Sequence, residues 1–146
     1  MSSSELEIGQ ILWLNVRYQI DVVSNVKHPM LVAKIKKDYI EVIDLDKTAG
    51  KMHQLFHNYN FYINSENPKE SVIYEDSYAQ FNTKLTIDKI EELKLARKTC
   101  SKLSKNKLDE LLNEYTKYQF KYGIDEQRIV HMTKEEILKL NEDLRK

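Results

Sequence analysis

A single cysteine, Cys100, stands in the 146 residues of this chain, so no internal disulfide can form and a cytoplasmic setting is the expectation. Glycine occurs only three times. That leaves no glycine-rich loop to cradle phosphates, and phosphate-loop, dinucleotide and serine-hydrolase fingerprints are all absent. Neither sign of charge prevails: 23 Lys and Arg face 23 Asp and Glu, for a net charge of zero. This excludes capture of nucleic acid or anionic membrane by the surface as a whole, but leaves local basic patches open. No apolar run approaches the roughly 18 residues of a membrane span. The opening Met1-Ser2-Ser3-Ser4-Glu5 has no basic start leading into an apolar segment, so no secretory signal is expected.

What is present is a globular balance, 41% hydrophobic and 32% charged, at a length suited to one domain. Such a chain buries somewhat under roughly 70% of its unfolded surface, enough for one core without staples.

The two halves of the chain differ in texture. Up to about Leu85 the apolar residues are β-branched or aromatic and fall in short runs: 8–16, 30–35, 39–45, 59–63 and 71–74. Tyr39-Ile40-Glu41-Val42-Ile43-Asp44-Leu45 alternates strictly, with Ile40, Val42 and Asp44 on one face and Tyr39, Glu41, Ile43 and Leu45 on the other. Such runs read as strands, and Lys36-Lys37-Asp38 as a hairpin turn between two of them. Five or six short strands with tight links imply a small, strongly bent sheet or barrel.

From Thr86 the period becomes helical. Asp88-x-x-Glu91 has the capping-box pattern, with Ile90, Leu93 and Arg97 on one face of a first helix. Ser104 is placed to cap a second, in which Leu108, Leu111, Leu112, Tyr115 and Gln119 recur at spacings of three and four, ending at Gly123. Thr133-x-x-Glu136 opens a third, with Ile137, Leu140 and Leu144 on one stripe. The expected domain plan is a barrel with packed helices over 1–122 and a helical extension of the same domain over 123–146.

Several short segments, taken in order, resemble the MazF/PemK/Kid toxin family: the strand Ile8-Gly9-Gln10-Ile11-Leu12-Trp13-Leu14, then Lys27-His28-Pro29-Met30-Leu31-Val32, Glu70-Ser71-Val72-Ile73, Leu85-Thr86-Ile87-Asp88, and Cys100-Ser101-Lys102-Leu103-Ser104 running on to Leu108 and Leu111. The matches cover roughly 8 to 118 and leave the tail from Gly123 without a counterpart. The resemblance implies an SH3-like barrel of five to seven short strands followed by two or three helices, in a homodimer. It also implies a metal-independent, cofactor-free endoribonuclease that cuts single-stranded RNA and is neutralised by a cognate antitoxin. In that chemistry the ribose 2′-OH attacks the adjacent phosphate. The protein supplies a base, an acid and a donor for the phosphate oxygens.

In the family a basic residue before proline and a hydroxyl after the third strand serve those roles. Here the position before proline holds His28, and the hydroxyl after the third strand is Thr48, displaced by a residue or two from the family's place. An imidazole exchanges a proton at neutral pH but clamps phosphate less well than a guanidinium. Asp44 and Asp46 stand close by and would repel a phosphodiester unless Lys47 and Lys51 offset them. Lys94 to Lys107 holds six basic residues and no acid, a local positive field that fits RNA phosphates or an acidic antitoxin, with a solvated helix face as the plain reading. The expected RNA- or antitoxin-binding residues are therefore Lys27, Lys47, Lys51, Arg97, Lys98 and Lys102.

Other residues have plainer readings. His53 and His57, four apart, suggest a metal site with Asp44 or Asp46 only if their segment is helical, and polar side chains on a connection are the simpler account. His131 reads as a solvent-facing residue before the Thr133 cap, Cys100 as a small buried hydrophobe. Tyr59, Phe61, Tyr62, Tyr74, Tyr78 and Phe81 are either core or stacking platforms for bases. Tyr115, Tyr118 and Tyr122 form a packing or partner stripe. The rival to the nuclease is a non-catalytic barrel that binds a protein or a nucleic acid.

Overall fold

The computed structural model describes residues 5–19, 22–24, 27–47, 60–63 and 77–145. Among the described residues ten strands appear in chain order: β1 (Gln10–Leu14), β2 (Arg17–Gln19), β3 (Val22–Val23), β4 (His28–Ile35), β5 (Tyr39–Lys47), β6 (Asn60–Ile63), β7 (Ser77–Gln80), β8 (Lys84–Asp88), β9 (Arg97–Lys102) and β10 (Ile129–Met132). Two α-helices, α1 (Lys105–Tyr122) and α2 (Lys134–Leu140), lie either side of β10.

Eight strands make one sheet with the path β10-β8-β5-β4-β1-β9, and β2 pairs with β3 in a separate ribbon. Every pairing in the sheet is antiparallel except β10 beside β8. The bend comes from β5. Its first half, Tyr39 to Val42, pairs with β8, whereas Leu45 to Lys47 pair with β7, which in turn carries β6. A register shift in β4 against β5 between Val32 and Lys34 adds twist there. The path ends at β10 and β9 rather than closing, so the described architecture is a bent, open, mostly antiparallel sheet with helices late in the chain.

Both faces of the sheet are buried, which explains the nearly unbroken apolar runs of β1 and β4. Leu12, Leu14, Met30, Val32, Ile40, Val42, Leu85 and Ile87 form one core with Ile137, Leu138 and Leu144. Ile11, Leu31, Ile43, Leu45, Ile63, Ala79 and Phe81 form the other with Leu111 and Tyr115 of α1. Removing a side chain such as Leu111 from water contributes about 1.5–3 kcal/mol, so each helix is held chiefly by its apolar stripe.

The hairpin at Lys36-Lys37-Asp38 and the alternation along β5 are as the sequence predicts. Helix α1 follows Ser104 and ends at Gly123, whose N–H donates to Gln119 O at 2.9 Å. Thr133 caps α2 by accepting from the Glu136 N–H. The expected first helix is absent. Residues Glu91–Ala96 make only a 3₁₀ turn, and Arg97, expected on a helical face, begins strand β9. Asp88 does not close a box with Glu91; it ends β8 and accepts instead from the backbone N–H of Lys134 at 2.9 Å. Within 123–146, expected as helical, β10 adds a strand to the sheet. The side chain of Asn141 bolts this segment to the end of β1, accepting from Asn15 N at 2.7 Å and donating to Asn15 O at 2.9 Å.

Candidate functional site

Alternation decides what meets at the open end of β4 and β5. Met30, Val32, Ile40 and Val42 face the core shared with α2, so His28, Asp44 and Asp46, offset by even steps, belong to that same face. Met30 stands opposite Asp44, and His28 and Asp46 lie two residues further along their strands. Tyr18 of β2 packs against this core and closes the group: its ring meets the His28 ring edge-on, with centroids 6.1 Å apart and planes at 83°.

The polar groups are tied together. Tyr18 Oη donates to Asp44 Oδ1 at 3.2 Å, and Tyr78 Oη of β7 donates to Asp46 Oδ2 at 3.3 Å. Asp44 is buried and Tyr18 half-buried. Burial, then the charge of Asp44, pushes the Tyr18 phenol far above the ordinary tyrosine range, so it remains a neutral donor. The result is an imidazole with access to solvent, a protonated phenol and two carboxylates, each of which accepts a phenolic hydrogen bond. Such a group can move a proton.

The expected cations are distributed as follows. Lys27, beside His28, holds Asp143 at 2.7 and 2.9 Å. Arg97 donates to the carbonyls of Glu5 and Lys94 and to Gln10 Oε1, pinning the N-terminal segment to the 3₁₀ turn. Lys102 pairs with Glu7 at 3.0 Å. Elsewhere in the basic run, Lys94 pairs with Glu5 and Glu91, Lys105 with Asp109, and Lys107 with Glu110. Four of the six cations of that run, Lys94, Lys102, Lys105 and Lys107, thus each have a carboxylate within ion-pair distance, and Arg97 is held by carbonyl and amide oxygens. Thr48 and Lys51 lie outside the described residues, as do the side chains of Lys47, Lys98 and Cys100.

Among the described residues no three His, Cys, Asp or Glu side chains come together to hold a metal ion, and His53 and His57 lie outside them. No described helix is long and apolar enough to cross a membrane. The aromatic residues mostly pack. Phe61 stacks on Phe81 at 5.8 Å, Phe81 meets Tyr115 and Tyr118 at 5.4 and 6.1 Å, and Tyr118 meets Tyr122 at 5.0 Å. Tyr62 points the other way and is partly exposed. Tyr59 and Tyr74 lie outside the described residues.

Two features escape sequence reasoning. Tyr18 sits in a three-residue strand with no periodic signal, and only the fold brings it to His28. His131, expected to face solvent, is partly exposed but engaged: Nδ1 lies 2.8 Å from Thr86 Oγ1 and Nε2 lies 2.8 Å from Asp88 Oδ1. Searches against protein-family models and curated proteins find no match to this chain.

Proposed function

We propose that the chain is a metal-independent, cytoplasmic endoribonuclease of the MazF/PemK/Kid kind, acting as a homodimer on single-stranded RNA and held in check by a cognate antitoxin. The observation that carries this reading is the meeting of His28, Tyr18 and Asp44 at the end of β4 and β5, the end from which the chain runs on to Thr48. In this role His28 takes the proton of the 2′-OH and returns one to the leaving 5′-oxygen, while Thr48 donates to the phosphate. The phenols of Tyr18 and Tyr78 donate hydrogen bonds to Asp44 and Asp46, easing the repulsion those carboxylates exert on a phosphodiester. Further support comes from order. The segments that carry the resemblance and are described fall on β1, β4, β8, and the end of β9 running into α1, in sequence. In this reading the bent sheet is a divergent SH3-like barrel.

The second reading, a binding domain without chemistry, is favoured by the internal pairing of Lys27, Lys94, Lys102, Lys105 and Lys107, which leaves phosphate capture weak. Incubating the protein with a single-stranded RNA pool in the presence of a chelator separates the two. The nuclease yields 2′,3′-cyclic phosphate ends and spares substrates lacking the 2′-OH. His28→Ala then lowers turnover by about 10²–10⁴-fold, the range of a positioned acid–base group. Equal cutting by wild type and His28→Ala removes His28 from the site. No cutting by wild type leaves the binding domain.

A further inference from the structure

The two rings of the site each have a cation as chain neighbour, Arg17 beside Tyr18 and Lys27 beside His28, and both cations are held by carboxylates of the same late segment. Arg17 grips Glu136 of α2 with a two-pronged contact, Nε to Oε2 at 2.5 Å and Nη2 to Oε1 at 3.1 Å. Lys27 grips both oxygens of Asp143, in the 3₁₀ turn after α2. A two-pronged guanidinium–carboxylate contact uses the same fork that binds a phosphate, so a phosphodiester can replace Glu136 without rebuilding the arginine.

We infer that Glu136 and Asp143 act as internal stand-ins for phosphate, holding Arg17 and Lys27 until a polyanion displaces them. This rests on the reading of the site as one that takes RNA. Beside Glu136, Arg17 Nη2 also donates to the His131 carbonyl at 3.2 Å, a bond that turning the Glu136 side chain away leaves in place. Both pairs keep contact with solvent, at 24% and 29% exposure for Arg17 and Glu136 and 36% and 54% for Lys27 and Asp143. Ile137, Leu138 and Leu144, which anchor the segment, are buried and lie apart from the two ion pairs in the contacts they make with the core. The exchange is one anion for another on the same cation, so it needs no opening of the core. It also assigns Arg17 as a phosphate-binding residue.

The test measures binding of a short, fluorescein-labelled 2′-O-methyl RNA, which cannot be cut through its 2′ position, by anisotropy over a range of salt. Glu136→Gln and Asp143→Asn should each tighten binding about three- to tenfold and steepen the salt dependence by about one phosphate contact. Glu135→Gln, which removes the same charge from α2 without freeing a cation, should change neither. Adding Arg17→Ala to Glu136→Gln, or Lys27→Gln to Asp143→Asn, should cancel the gain, with far-UV circular dichroism and thermal unfolding confirming that each variant is folded. If Glu136→Gln and Asp143→Asn bind no better than Glu135→Gln, the restraint does not exist. Cutting of natural RNA with unchanged affinities would sink the restraint and keep the nuclease. Tighter binding without cutting would do the reverse.

Discussion

Tyr115 of α1 donates its phenolic hydrogen to Glu41 of β5 across 2.6 Å, joining a helix to the centre of the sheet inside an otherwise apolar core. Glu41 is 2% exposed and Tyr115 1%. A carboxylate left there without its donor is costly, whereas removing both partners together is not. Tyr115→Phe should therefore destabilise the protein by about 1–3 kcal/mol in urea unfolding, and adding Glu41→Met should recover much of that loss. Additive losses would show that the two residues are not coupled.

The phenols of Tyr18 and Tyr115 are both pushed up from the ordinary value of 10.0, chiefly by burial and then by the carboxylates Asp44 and Glu41. A folded-state value above the unfolded one contributes stability that is complete below the unfolded value and declines as pH rises past it. Stability should hold up to about pH 10 and fall beyond it. Ultraviolet titration should show these two tyrosines ionising only as the chain unfolds, and Tyr18→Phe should reduce the steepness of the alkaline loss.

On the acid side the relevant groups are Asp88 and Glu136. The Lys134 N–H, then His131, lowers the Asp88 carboxyl below its ordinary 3.8, and the hydrogen bond from Arg17 lowers Glu136 below 4.5. Depressed values give stability that is present above the ordinary ones and lost as pH falls through the lowered ones. Loosening of β10 and α2 should begin below about pH 4, detectable by amide exchange in 129–140. Asp88→Asn should cost about 0.5–1 kcal/mol at neutral pH, the low end for a cap because the carboxylate is partly solvated, and should flatten the acid limb.

Gly9 and Gly123 both have positive φ, 97° and 69°, but differ in surroundings. A Cβ on Gly9 would stand 2.8 Å from Leu108 Cδ2, while one on Gly123 would meet nothing within 4 Å. Gly123→Ala should cost only the backbone term of about 1–2 kcal/mol. Gly9→Ala adds the displacement of Leu108 from the core and should cost more, by about 1 kcal/mol, in the same unfolding assay. Equal losses would mean that Leu108 yields freely.

The legible parts of the fold are those in which local pattern and tertiary burial agree. β4 and β5 announce themselves through β-branched runs around a short turn, and α1 and α2 through hydroxyl residues at their starts and apolar spacings of three and four. Arg97–Lys102 reads wrongly because it is an edge strand: Arg97-Lys98-Thr99-Cys100-Ser101-Lys102 shows no clean alternation, and the Asp88-x-x-Glu91 spacing mimics a helix start. Four residues, Ile129 to Met132, are too few for periodicity to mark β10, whose partner is remote. At the site, His28 is visible through its place before Pro29 and Asp44 through the alternation of β5. Tyr18 is not, because a three-residue strand leaves no pattern and its contacts form only in three dimensions.

Parallel pairing of β10 with β8 carries a consequence for biogenesis. Thr86 and His131, neighbours across that ladder, are 45 residues apart in the chain, and no hairpin can join parallel strands. During translation β8 must wait, its outer edge unpaired, while the ribosome makes all of α1 and the turn beyond it. At about 5–20 residues per second that interval lasts several seconds. Throughout it the nascent sheet presents the edge of β8 as an adhesive margin to any other strand nearby, and the arrival of β10 replaces that margin with the edge of a four-residue strand, a shorter template for its own copies.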